Sequence, residues 1–399
     1  MQRTCSFRHL LLINSFVYIA VAMYSPFLSM YYAQEGLTSS QVGILLTIAP
    51  IATVLIQPLW AKRSDATGRA KTYAAFILFG LILSLQTFYL GHSFGNYLLS
   101  NILLAVFSTS VHPMLDAIVI RNADQEGYNF AYIRMGGTVG YAVVVFLIGI
   151  YLRKYPHHQF LLAGLGYLVL LLLILWLPAS ENHQPIVQKP KRTAKSLRQM
   201  FQLKQVFSDQ RVAYVLLFAF LFQIGASVSG SYLGVYVASI GYGQFQMGML
   251  NFISAASEIP VLLIVRKLSR RFDALLLIAG ATFLMGVRAL LVSGGTLSFF
   301  IAAQAMQGLT YMIVYYGSAT YIAQHAREGM SSQAQSILYM VQSGFACILG
   351  NLLGGRIIDA VGLRATYLGV GGTVSVLAVL CYLIMRLHVR KQNKISQRD

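Results

Sequence analysis

Apolar residues in this chain run in long stretches, broken by brief polar punctuation, and they do not alternate as strands would. Twelve stretches are long enough for a helix to cross the hydrocarbon of a bilayer, which takes about 20 residues. They lie near 9–33, 41–61, 72–91, 97–120, 129–152, 158–178, 211–238, 245–265, 274–293, 297–322, 332–354 and 364–386. The pattern predicts an all-α membrane protein with twelve transmembrane helices, here called spans 1 to 12. Most connections are short and carry Gly, Ser, Asn or Asp. The exception is 179–210, polar, rich in Lys and Arg, and holding Pro185 and Pro190. It separates a six-span bundle, 1–178, from a second, 211–386, and a basic tail, 387–399, follows. The 179–210 segment reads as a cytosolic linker with one amphipathic stretch, Leu197–Phe207, and the tail after Arg386 as disordered. The first apolar run is expected to persist as a span: it is longer than a signal-peptide core, contains Pro26, and no A-x-A-like site follows it.

Composition agrees with membrane burial. The chain is 57% hydrophobic and 11% charged, whereas soluble domains carry about 25% charged residues. The net charge of +18 raises nucleic acid as a partner, but its placement points elsewhere. With the N-terminus inside, 24 Lys and Arg fall on cytosolic segments, four on outer loops and two, Arg134 and Arg288, inside spans. That asymmetry is the positive-inside rule. It predicts a multi-pass protein of the cytoplasmic membrane with both termini cytosolic, touching anionic lipid headgroups and no nucleic acid. Tyr31, Tyr32, Tyr97 and Tyr128, near loop ends, read as interfacial anchors. Cys5, Cys347 and Cys381 form no spacing motif; Cys347 and Cys381 lie within apolar runs and read as packing residues. The chain has no P-loop, no zinc-spaced cluster and no Gly-x-Ser-x-Gly elbow. The expectation is therefore a non-enzyme with no cofactor and no metal, drawing energy from an ion gradient.

The informative residues are the ionisable ones inside spans: Asp116 in span 4, Arg134 in span 5, Glu258 in span 8 and Arg288 in span 9. A charge at the bilayer centre costs roughly 2.5–3.5 kcal/mol on insertion scales. Each half holds one acid and one base. A carboxyl withdrawn from water favours its neutral form, whereas an arginine keeps its charge. The set therefore reads as a site where proton and solute share partners, or else as permanent ion pairs between helices. His112 lies one turn before Asp116, on the same face. Asn251 and Ser254 share a face with Glu258; Gln304, Gln307, Tyr311 and Ser318 recur along span 10; Gln335, Tyr339 and Gln342 along span 11. Tyr24 lies deeper than the other tyrosines and is a candidate cavity residue. Gly137 and Gly140, and Gly350 and Gly354, permit close helix approach.

Two layers of resemblance follow from these residues. Ala61-Lys-Arg-Ser-Asp65-Ala-Thr-Gly68-Arg69-Ala-Lys71 resembles the loop between spans 2 and 3 of the major facilitator superfamily, G-x-x-x-D-x-x-G-R-R/K, with Ala61 and Ala70 as departures. A weaker echo, Arg266-Lys267 through Arg270-Arg271 and Asp273, stands at the matching place in the second half. Tyr24-Ser-Pro26-Phe27-Leu28, Tyr31-Tyr32, Gly36-Leu37 and Gly43 resemble span 1 into span 2 of the proton symporters grouped with phenylpropionate, nucleoside and lactose permeases. Tyr132-Ile-Arg134-Met-Gly-Gly137-Thr-Val-Gly140 is similar to their R-x-W-G-S-x-G signature, Met135, Gly136 and Thr138 differing. Glu258-Ile-Pro260, Gln307-Gly308 with Tyr315-Tyr316, and Gln335 through Asp359-x-x-Gly362 complete the likeness.

The resemblance implies two pseudo-symmetric six-helix bundles around a central cavity. It implies a conformational latch at Asp65, Gly68 and Arg69, where Asp65 is expected to cap a helix start, Gly68 to turn the chain and Arg69 to donate. It implies that Arg134 contacts an anionic or polar solute and that Glu258 exchanges the proton. The reading is a monomeric secondary transporter working by alternating access, importing a small polar or anionic organic solute with a proton: an aromatic acid, a nucleoside or a saccharide. Rival readings are proton-driven efflux of drugs or metabolites, and a non-transporting sensor or partner subunit.

Overall fold

The structure, a computed structural model, describes residues 5–177, 206, 207, 209, 211–327 and 330–395. Most of the 179–210 linker, including the amphipathic stretch up to Gln205, lies outside the described residues, as does the end of the tail. Among the described residues twelve helical stretches are long and apolar enough to cross a membrane: Phe7–Gln34, Ser39–Thr67, Ala70–Tyr89, Phe94–Gln125, Phe130–Leu152, Pro156–Trp176, Val212–Ser239, Gln244–Arg271, Ala274–Val292, Leu297–His325, Gln333–Val361 and Leu363–His388. They are spans 1 to 12 of the sequence pattern. No strand forms among the described residues beyond an isolated bridge, Phe207 to Ala326. The tail is not disordered after Arg386: the last helix runs Leu363–Ile395. The segment 386–395 contains neither Gly nor Pro and is rich in residues that lose little rotamer freedom in a helix.

Local chemistry sets the interruptions. Pro26 lacks an N–H to donate, and span 1 passes through a 3-10 turn, Ser25–Phe27, before resuming at Leu28. Thr38 and Gln41 form a capping box at the start of span 2. Gly68, at φ 65°, ends span 2 in the left-handed region that favours glycine. Span 10 breaks at Met306, and span 11 widens into a π segment, Met340–Ala346.

The chain clusters into two compact units, Met1–Pro190 with Gly234–Phe252, and Lys191–Leu233 with Ile253–Asp399. In unit 1, span 5 lies close on span 1: a Cβ on Gly137 would stand 2.8 Å from Asn14 Oδ1, and one on Gly140 3.1 Å from Ile19 Cγ1. The Gly234–Phe252 segment joins this unit at Gly248, whose Cα is 3.0 Å from where a Gly149 Cβ would stand, and through Gln244 Nε2, which donates to Gln34 Oε1 at 2.7 Å. Tyr31, Tyr32 and Tyr97 are buried, contrary to the expectation of interfacial anchors. They sit with Phe88 and Phe160, whose rings stack at 4.2 Å, and Asn101 donates to the Tyr32 hydroxyl. Their hydroxyls meet one another and a buried amide, so the rings bury their area without stranding a polar tip. Tyr128 is half-buried, edge-on to Phe7 at 5.6 Å. In unit 2, Gly350 and Gly354 let span 11 approach span 7: added Cβ atoms would stand 2.7 Å from Ser227 Cβ and 2.8 Å from Tyr232 Cε2.

Candidate functional site

Unit 1 brings together the acid and base of spans 4 and 5. Arg134 Nη1 donates to Asp116 Oδ2 at 3.0 Å. Span 1 supplies the rest of the cluster, which sequence reasoning missed. Asn14 Nδ2 donates to Asp116 Oδ1 at 3.3 Å. The Arg134 guanidinium lies over the Tyr18 ring, 4.7 Å from its centroid, and the His112 ring stands 4.9 Å from Tyr18 on a tilt. Asn14 is 1% exposed, and its Oδ1 has no hydrogen-bond partner. Arg134 remains 44% exposed along its side chain, so its guanidinium is reachable. Gly137 explains the spacing of the span-5 signature. Three residues after Arg134, it leaves room for Asn14 and Tyr18 to enter beside the guanidinium. Asn14 and Tyr18 stand one turn apart on one helix face, a polar pair inside an apolar run that could have been flagged from the sequence.

In unit 2 the acid and base are joined through an amide. Arg288, 6% exposed, donates Nη2 to Gln304 Oε1 at 2.8 Å and Nη1 to Gln307 Oε1. The Glu258 carboxyl lies beside Gln307, within the influence of its amide. The Gln307 oxygen takes the guanidinium and its amide group is the donor available to the carboxylate. Among the described residues Arg288 makes no direct ion pair, and its Nε has no hydrogen-bond partner. The backbone sets this geometry. Span 10 breaks at Met306, just before Gln307, and Gly308 lets the resumed helix touch span 8. The Gly308 N–H donates to Ser257 Oγ at 3.0 Å, and a Cβ there would stand 3.0 Å from Glu258 Cα. Gln307 is thereby held against Glu258.

The other expected residues are placed singly. Tyr24 is buried and hydrogen-bonded to Tyr167. Asn251 Nδ2 donates to Met247 O at 2.9 Å within its own helix. Tyr311 stacks on Tyr315 at 5.7 Å. Tyr339, 49% exposed, hydrogen-bonds Ser343 in the π segment. In the expected latch, Gly68 makes the turn, but Asp65 does not cap a helix start. It lies within the helix Gln57–Thr67, and the next helix is preceded by Arg69 with no side-chain cap. Ala66 and Thr67 carry the first helix on past Asp65, which keeps its carboxylate away from the following N-terminus. In the second half Asp273 does cap, accepting from the Leu276 N–H at 3.1 Å.

The end of the linker is fastened to span 10. The Arg327 N–H donates to Val206 O at 2.9 Å, and Asp209 accepts from the Tyr321 hydroxyl at 3.1 Å and pairs with Arg211 at 3.0 Å. Burial opposes ionisation of Asp209, yet the backbone N–H and guanidinium of Arg211, with the Tyr321 hydroxyl, hold its carboxyl below the usual range.

Residues 9–369 match the model of the MFS_1 like family. An uncharacterised transporter of Bacillus subtilis (strain 168) is 24% identical over 357 residues, covering 88% of this chain and 87% of that protein. The maltose permease of Geobacillus stearothermophilus is 23% identical over 388 residues, covering 96% of this chain and 94% of the permease. Among solved structures, a point mutant of the nucleoside transporter NupG superposes with a TM-score of 0.82 at 16% identity, covering 94% of this chain and 99% of that one. That likeness carries the fold, while the family match and the permease relatives carry the class. Twelve apolar spans, acids and guanidinium groups inside them, and these matches lead to one conclusion: the chain belongs to the MFS_1 like family and is a multi-pass secondary transporter of the major facilitator superfamily, not an enzyme.

Proposed function

We propose that the protein imports a small, hydroxyl-rich, neutral solute, a saccharide or nucleoside, together with a proton, across the cytoplasmic membrane with both termini inside. The observation that carries this reading is the Arg288–Gln307–Glu258 bridge. It links a fixed cation to an acid through a group that can break with either. Loading a proton on Glu258 removes its pull on the Gln307 amide. That amide then becomes available to a solute hydroxyl, while Arg288 keeps Gln304. Proton and solute thus act on the same contacts, the condition for coupling. A neutral solute is favoured over an aromatic acid by charge balance. Arg134 already faces Asp116, so the exposed guanidinium of unit 1 is charge-matched before solute arrives. The maltose permease among this chain's relatives and the nucleoside transporter of like fold support the same solute class. The Asp65–Arg69 connection serves as a cytosolic latch, and anionic headgroups meet the basic segments.

The test is uptake of labelled saccharides and nucleosides into vesicles holding the purified protein. With a pH gradient of one unit, acid outside, a one-to-one symporter accumulates solute about tenfold, and a 100 mV potential adds roughly 2.3 kcal/mol. Glu258→Gln is expected to abolish accumulation and retain solute exchange. Accumulation at the wild-type level by that variant defeats the coupling assignment, and uptake only against an inverted gradient establishes efflux.

A further inference from the structure

One end of unit 1 carries a second titratable cluster, unconnected to the acids of the spans. Glu35 closes the first span's helix at Gln34, His92 lies in the turn between spans 3 and 4, and His157 lies in the 3-10 turn Pro156–His158 that opens span 6. Two imidazoles address the two oxygens of one carboxylate. His92 Nδ1 is 2.8 Å from Glu35 Oε2, and His157 Nδ1 is 3.8 Å from Oε1. The carboxylate is sheltered, with a side-chain exposure of 13%, while the histidines stand at 63% and 57%. Beneath them Tyr97 donates to Glu35 Oε2 at 2.9 Å and shares a 3.2 Å hydrogen bond with Tyr31. Tyr89 donates to the His157 carbonyl at 2.6 Å. The remaining groups of that turn are occupied with one another: His158 meets the Tyr151 hydroxyl at 2.9 Å, and Lys154 lies over Tyr155. No lysine or arginine among the described residues forms an ion pair with Glu35.

We propose that Glu35, His92 and His157 form a proton-binding clasp that fastens three connections at one end of unit 1 when both imidazoles are charged. The contacts differ in what a proton does to them. A neutral His92 bearing its hydrogen on Nδ1 already donates to Glu35. His157 stands beyond hydrogen-bond reach, so its attraction is electrostatic and arises only with its charge. Histidine is the side chain that ordinarily changes charge between about pH 5 and pH 8. With both imidazoles charged the three groups sum to net +1, and with both neutral to net −1. Acid therefore pins the turn of spans 5 and 6 to the end of span 1, and alkali releases it. If the termini are cytosolic, as proposed above, this end faces outside, and the clasp registers the acidity of the medium while Glu258 carries the coupled proton. The charge swing itself does not depend on that orientation or on transport.

The test is hydrogen–deuterium exchange on the full-length protein in micelles at about pH 5.5 and about pH 8, corrected for intrinsic exchange. Amides of segments 89–97 and 153–161 are expected to exchange roughly two- to fivefold more slowly at the lower pH, as for an ion pair near the surface. Segment 121–130, in another connection of unit 1, should show no such change. Glu35→Gln is expected to erase the difference. Should that variant fail to fold, the exposed pair His92→Gln/His157→Gln is expected to erase it equally. Equal protection at both pH values in the wild type overturns the clasp, as does a difference that survives either substitution. Neither gradient nor solute enters the measurement, so a failed transport assay leaves its outcome untouched.

Discussion

Replacing Gln307 with Leu tests the bridge of unit 2 most directly. The two side chains are close in volume, so the change removes hydrogen bonds without opening a large cavity. Arg288 is 6% exposed and already has an unpartnered Nε, and without Gln307 it keeps only Gln304 among its hydrogen-bond partners. Removing one partner of a buried charged donor costs roughly 1.5–3 kcal/mol. Glu258 loses a donor in the same step, which raises the total toward the roughly 3–5 kcal/mol of a broken buried pair. For a unit of about 200 residues, 1 kcal/mol moves the melting temperature by about 2–4 °C, so a drop on the order of 10 °C is expected in detergent. The assay is a thermal-unfolding cycle of wild type, Gln307→Leu, Glu258→Gln and the double variant. With a neutral amide at position 258, removing Gln307 should cost about 1–2 kcal/mol less, which is the coupling between the two sites. Additive single and double changes would refute the bridge, because the two side chains would then not depend on one another.

Three further outcomes follow from named contacts. Arg134→Gln forfeits the Asp116 pair and the contact with Tyr18; solute affinity is expected to fall at least tenfold by binding titration, and unchanged affinity would leave Arg134 a scaffold residue. Gly137→Val pushes Asn14 and Tyr18 off span 5; overpacking of this kind costs about 1–3 kcal/mol, and a melting temperature equal to that of wild type counts against the close packing described. Because the Asp209 carboxyl is held below its ordinary range, its contribution is present above the unfolded value and lost as pH falls through the folded one. Asp209→Asn should therefore speed exchange of the Arg327 amide at neutral pH, with the two proteins converging in acid; a gap that stays constant with pH would remove the carboxylate from the linker contact.

Much of the architecture was legible in the order of residues. Spans are forced by the cost of exposing apolar area to water and backbone polar groups to lipid, so runs of apolar residues and Gly68 sufficed to mark spans and a turn. The rarity of ionisable groups in such runs singled out Asp116, Arg134, Glu258 and Arg288, and the helical period put His112 beside Asp116. Tyr31, Tyr32 and Tyr97 misled because a tyrosine near a loop end suits a headgroup layer or a buried aromatic cluster equally well. Only the neighbours that cover the ring distinguish the two. Asp65 misled for a local reason: the helix before it runs on to Thr67, and a carboxylate inside a helix has no free N-terminus to cap.

The amino-acid order by itself therefore determined the class of fold, the number of spans and the charges that cannot rest in lipid, because each follows from the chemistry of one stretch of chain. Partnership was decided only by the tertiary structure. Arg134 meets Asp116 directly, whereas Arg288 reaches Glu258 through Gln307, since Gly308 and the break at Met306 carry that amide into place. Asn14 and Tyr18 joined the first pair, and His92 and His157 found Glu35, for the same reason: a hydrogen bond or ion pair depends on a few ångströms between atoms far apart in the chain.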